Sequence, residues 1–109
     1  MITVRVRGEG RVVRELRVSG HAGAAPKGED LVCAAVSALV ETLHIGLKAI
    51  DVPGWEAQVA EGDARFRFDP TFPADGRAAV AVIVAGLKDL ADTQPRYVRW
   101  EGGAGGDAP

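Results

Sequence analysis

Hydrophobic and polar residues alternate from the start of the chain. Ile2, Val4 and Val6 fall on one side of an extended backbone and Thr3, Arg5 and Arg7 on the other. Gly8-Glu9-Gly10 interrupts the run, and a strand-like pattern resumes over 12–18 with Leu16 and Val18 inward, which predicts a β-hairpin. From Asp30 to about Ile50 the period changes. Leu31, Val32, Ala35, Val36, Leu39, Val40, Leu43 and Leu47 recur at three and four spacings without a proline, which predicts a helix with a wide apolar stripe. Gly46 lies inside that stretch and points to fraying or a close backbone contact.

Alternation returns after Val52-Pro53-Gly54. Trp55, Ala57 and Val59 alternate with Glu56 and Gln58; Glu61-Gly62-Asp63 turns the chain; Ala64, Phe66 and Phe68 alternate with Arg65 and Arg67. Beyond Pro70 and Pro73 a second helix is predicted from Ala74 or Gly76 to about Asp92, its core face carrying Val80, Ile83, Leu87 and Leu90. Pro95 opens the last strand, with Val98 and Trp100 on one side, and residues 102–109 read as a flexible glycine-rich tail. The predicted order is ββαββαβ: an α+β domain over residues 1–101, with a mostly antiparallel or mixed sheet and two helices packed on one face. A single helix layer is left partly uncovered at this size. Homodimerisation through helix faces, with Gly46 and Gly86 permitting close approach, is therefore expected.

Composition narrows the class. The 109 residues are 47% hydrophobic and 26% charged with a formal net charge of -2, the profile of one folded domain and not of a polyanion-binding protein. Arg5, Arg7, Arg11, Arg14 and Arg17 crowd the first hairpin, where alternation turns them outward as a solvated face. No uninterrupted apolar run approaches a membrane span and no signal-like segment opens the chain, so a cytoplasmic location is expected. A single cysteine makes no internal disulfide, and one cysteine with two scattered histidines falls short of a metal ligand set. Neither a cofactor motif nor a direct nucleic-acid partner is expected.

Candidate chemistry centres on Cys33. Asp30 is a candidate N-cap, which sets Cys33 in the first helical turn, where free amides and the macrodipole favour a thiolate. The amides of Val32 and Cys33 would then serve as oxyanion donors. A lone cysteine is more often a small buried hydrophobe, and His21 alone reads as a loop histidine. Together they form a nucleophile and a general base, with His21 just after a strand end. Asp30 either caps the helix or orients His21; Ser37, one turn past Cys33, shares its face; His44, about three turns on, reads as structural.

Gly20-His21-Ala22, eleven intervening residues between His21 and Cys33, and Gly28-x-Asp30-Leu31-Val32-Cys33-Ala34-Ala35-Val36-Ser37 resemble the ribosomal-processing cysteine protease Prp family of bacteria. Leu31 stands where isoleucine is usual. The resemblance extends to about Trp100. It implies a homodimeric endopeptidase that removes a short N-terminal extension from a large-subunit ribosomal protein, cutting after an aromatic residue. By position it makes Cys33 the nucleophile and His21 the base, with Asp30 and Ser37 in support. The segment Ala22, Gly23, Ala24, Ala25, Pro26, Lys27, Gly28 and Glu29 becomes a substrate-gating loop. The alternative from another class is a non-catalytic, ribosome-associated binding module that uses the arginine-bearing hairpin, with Cys33 structural.

Overall fold

Each alternating segment forms a strand and each three-and-four segment a helix, in the order β1 (Ile2–Glu9), β2 (Val12–Ser19), α1 (Lys27–Ala49), β3 (Trp55–Ala60), β4 (Asp63–Phe68), α2 (Ala74–Thr93) and β5 (Val98–Gly102). This computed structural model describes residues 1–9, 12–20 and 27–102, with backbone alone at 27–30. The strands form one sheet in the order β3-β4-β2-β1-β5. All pairings are antiparallel except β1 with β5, which is parallel, so the sheet is mixed.

Register keeps the apolar residues on a single face. Val4 lies opposite Val18, Leu16 opposite Phe66, and Ile2 opposite Val98. A one-residue slip would move every one of these to water, so burial itself fixes the pairing. Gly8 and Glu9 do not end β1 as the sequence suggests; the strand continues through a register shift between Arg7 and Gly8. Such a bulge adds a residue to one strand without breaking the ladder.

Both helices cover the apolar face. Val32, Val36, Val40, Leu43 and Leu47 of α1 join Val80, Ile83, Val84 and Leu87 of α2 in one core with the strand residues, and no polar or charged side chain among the described residues is buried. By length and composition Leu31–Ala49 is apolar enough to cross a bilayer, a property the interrupted sequence pattern conceals. Here that apolarity serves the core. Burying Leu43 and Leu47, at about 1.5–3 kcal/mol each, outweighs the roughly 1 kcal/mol that Gly46 costs a helix interior.

Four expectations change. Leu31 is 67% exposed rather than part of the core stripe. Val84, absent from the predicted face of α2, is buried, because that face meets both the sheet and α1. Gly86 is not free for a second copy: a Cβ there would lie 3.3 Å from Leu39 Cδ1, so it serves the packing of α2 on α1 within the chain. Gly102 belongs to β5, opposite Val6, and the rest of the expected tail lies outside the described residues.

Candidate active site

The helix that carries Cys33 begins earlier than the capping pattern suggests. It starts at Lys27, so Asp30 is its fourth residue and not its N-cap, and Cys33 falls in the second turn. Nothing after Pro26 opposes helix: Lys27 and Glu29 are good helix formers and Gly28 sits at a frayed end, where its cost is small. Two consequences follow for the chemistry. The free amides of the helix start are those of residues 27–30, while Val32 and Cys33 lie within the i to i−4 ladder and are not available as oxyanion donors. The macrodipole, which acts mainly over the first turn, supports Cys33 less than a first-turn position would.

Lys27, Gly28 and Glu29 are helical, which shortens the expected gating loop at its C-terminal end. His21 and residues 22–26 lie outside the described residues, as do the side chains of residues 27–30, Asp30 among them.

Cys33 is half-buried and reduced, packed at the border of the core. It opens onto a cleft of about 710 Å³ between α1 and the end of the β3–β4 hairpin, with Ile2, Val18, Val36 and Val40 as apolar lining. Ser37 lines the same cleft and is exposed; it stands one turn along from Cys33, as the spacing requires. Gly20, the residue bonded to His21, lines it too.

Gly20 is held tightly at this mouth. Its φ of 100° lies in the left-handed region, its amide donates to the Gly62 carbonyl at 2.9 Å, and a Cβ would collide with the Met1 carbonyl. Only glycine meets all three conditions without strain. The bond to Gly62 fastens the end of β2 to the β3–β4 turn, so the strand leading to His21 leaves the sheet beside the cleft that Cys33 lines.

Glu41, Glu61 and Asp63 also reach the cleft. Sequence reasoning missed them. Glu41 was accessible in principle, since Cys33, Ser37 and Glu41 recur every four residues on one helix face. Glu61 and Asp63 carry no local signal, because only folding of the second hairpin brings them opposite α1. Asp63 accepts a hydrogen bond from Arg17 Nε at 3.2 Å. Glu41 and Glu61 are exposed and make no ion pair among the described residues.

His44 lies elsewhere, edge-on to Trp55 and Phe66 with ring centroids 6.1 Å away in each case, a packing role that agrees with its structural reading. Among the described residues no group of three or more His, Cys, Asp or Glu side chains is placed to hold a metal ion.

The outward arginines engage neighbours across the open sheet face. Arg5 donates from Nε and Nη2 to Glu101 Oε1 at 3.0 and 2.8 Å, and this bond holds the Glu101 carboxyl below its ordinary value, against a smaller opposing effect of desolvation. Arg67 lies 3.6 Å from Glu15 and 3.8 Å from Glu56.

Residues 1–99 match the family described as Cysteine protease Prp. The ribosomal processing cysteine protease Prp of Mycoplasma pneumoniae is 30% identical over 95 residues, covering 80% of this chain and 85% of its own. Among solved structures, a Staphylococcus aureus ribosomal processing protease Prp with a substrate peptide superposes with a TM-score of 0.83 at 18% identity, over 94% of this chain and all of that one. The same protease with a covalently linked product peptide gives 0.81 at 19% identity, over 94% of this chain and 100% of that one. A Streptococcus mutans protein gives 0.80 at 22% identity, over 95% of each chain. These likenesses agree in fold with the mixed sheet and its two helices, and the family match removes the non-catalytic alternative. The chain belongs to the Prp family of cysteine proteases, and is a hydrolase that processes protein.

Proposed function

We propose that the chain is an endopeptidase that removes a short N-terminal extension from a large-subunit ribosomal protein, with Cys33 as nucleophile and His21 as general base and acid. The observation that carries this reading is the half-buried Cys33 thiol lining a peptide-sized cleft whose wall also includes Gly20, the residue bonded to His21. With Cys33 in the second turn, the helix start contributes little to its activation, and the burden falls on the imidazole.

In the reaction, His21 takes the thiol proton as Cys33 Sγ attacks the scissile carbonyl. The tetrahedral intermediate collapses to a thioester on Cys33, and the imidazolium returns its proton to the departing amine. A water deprotonated by His21 then attacks the thioester, releasing the acyl fragment as a carboxylic acid and restoring the thiol. Asp30 supports His21, and Ser37 offers a hydroxyl to the bound peptide one turn from the sulfur. Residues 22–29 gate entry, with the helical part from Lys27 forming the fixed end of that gate.

The substrate, with an aromatic residue before the cleaved bond, is assigned from the family resemblance, and a cytoplasmic location fits such a target. We assign a homodimer as well. Its support is the exposed apolar surface of the helix layer: Ile45 is 65% and Val82 71% exposed, and nothing lies within 4 Å of a Cβ placed on the neighbouring Gly46.

The test is incubation with peptides from the N-terminal regions of the host's large-subunit ribosomal proteins, read by mass spectrometry. Wild-type protein is expected to cut one of them, and Cys33→Ser and His21→Ala to lose at least about a thousandfold in rate while keeping the circular-dichroism spectrum. Cleavage by either variant at the wild-type rate would remove the dyad.

A further inference from the structure

The charges around the Cys33 cleft are of one sign. Lys and Arg number 13 in this chain against 15 Asp and Glu, so the two kinds are nearly equally common. Yet the described residues lining the cleft include Glu41, Glu61 and Asp63 and no basic side chain. The three are not equivalent. Asp63 is already engaged by Arg17 at 3.2 Å, whereas Glu41 on α1 and Glu61 on the facing β3–β4 turn make no ion pair among the described residues. Apolar walls formed by Val36, Val40 and Val59 stand between them. Low-dielectric walls concentrate the field of the carboxylates within the cleft and favour a cationic ligand.

From this we infer that the cleft selects peptides bearing a lysine or arginine at a fixed distance from the cleaved bond, held by Glu41 and Glu61; the inference rests on the peptidase reading of the same site. The helix supplies the ruler. Glu41 lies eight residues past Cys33 on the same face, a rise of about 12 Å, and an extended peptide advances about 3.3 Å per residue. The basic residue therefore belongs roughly three or four positions from the scissile bond. Such a side chain lays its methylene stem along the valines and its charged end between the two carboxylates at the rim.

The experiment uses matched peptides that differ only in carrying Lys, Gln or Glu at each position up to five from the cleaved bond. Wild-type kcat/KM is expected to favour Lys over Glu by about tenfold or more at the third or fourth position and by less elsewhere, with the ratio shrinking as salt is raised. In Glu41→Gln/Glu61→Gln the Lys-to-Glu ratio should fall towards one, and Glu41→Asp/Glu61→Asp should restore part of it. A ratio near one in wild type, or one unchanged in the double Gln variant, overturns the inference while leaving the peptidase intact. Binding of the same fluorescent peptides to Cys33→Ala protein, read by anisotropy, gives the preference without turnover. If no peptide is cut, the peptidase reading fails, and tighter binding of the Lys peptide that is lost in the double Gln background still sustains a basic-segment site. Equal binding of Lys and Glu peptides rejects it.

Discussion

The outer face of the sheet and the Cys33 cleft are both built partly from charged residues, but the two regions leave those charges in different states. On the sheet, Arg5 is bonded to Glu101, Arg17 to Asp63, and Arg67 lies between Glu15 and Glu56. At the cleft rim Glu41 and Glu61 have no such neighbour. Charges that meet across strands mostly settle register and solubility, and exposed pairs of this kind are worth about 0.2–1 kcal/mol each at best. Carboxylates left open beside a nucleophile remain available to a ligand. Abundance of charge is thus a poor guide to function here, and pairing is the better one. The arginine-bearing hairpin drew attention in the sequence, whereas the cleft carboxylates did not.

Gly20→Ala is the sharpest way to test the cleft side of this contrast. A side chain at φ 100° and against the Met1 carbonyl is expected to cost about 1–3 kcal/mol, read as a lower urea midpoint. Under conditions where the variant remains folded, kcat/KM should still drop by about tenfold, because the strand that leads to His21 is displaced at the cleft mouth. A folded Gly20→Ala protein with wild-type turnover would break the link between that mouth and the chemistry.

A smaller effect is expected on the sheet face. Glu101→Gln removes the acceptor of the Arg5 bond and should leave kcat/KM unchanged. Its signature lies in pH. Because the folded carboxyl sits below its ordinary value of 4.5, the stability that Glu101 contributes is present above that pH and is lost as the pH falls through the lower folded value. Urea midpoints measured from about pH 6 down to pH 3 should therefore decline less steeply in Glu101→Gln than in wild type. An identical acid limb would show that the pair does not contribute, and a change in turnover would show that the two regions are coupled.

The fold was largely legible because burial enforces it. Val4, Leu16, Val18, Phe66 and Phe68 alternate in sequence and are buried in the sheet, and the periods of Val36, Val40, Leu43 and Leu47 translate directly into a covered helix face. Cys33 and Ser37 were legible for the same reason, since a four-residue spacing puts them on one face. The start of α1 was not. Asp30 is as acceptable inside a first turn as before it, and propensity alone does not decide between two starts three residues apart. Leu31 misled because an apolar residue next to a core position is counted with the stripe even when its own direction is outward. Glu61 was illegible for a further reason: its place opposite α1 depends on how two distant hairpins are tied, through the Gly20 amide and the Gly62 carbonyl.

The central claim is that Cys33 becomes acylated, and intact-protein mass spectrometry after rapid acid quenching tests it most directly. With a cleavable peptide, wild-type protein is expected to gain the mass of the N-terminal fragment less one water, located on Cys33 by digestion and removed by hydroxylamine as a thioester should be. An adduct on another residue, or cleavage by Cys33→Ala protein at the wild-type rate, would contradict the account.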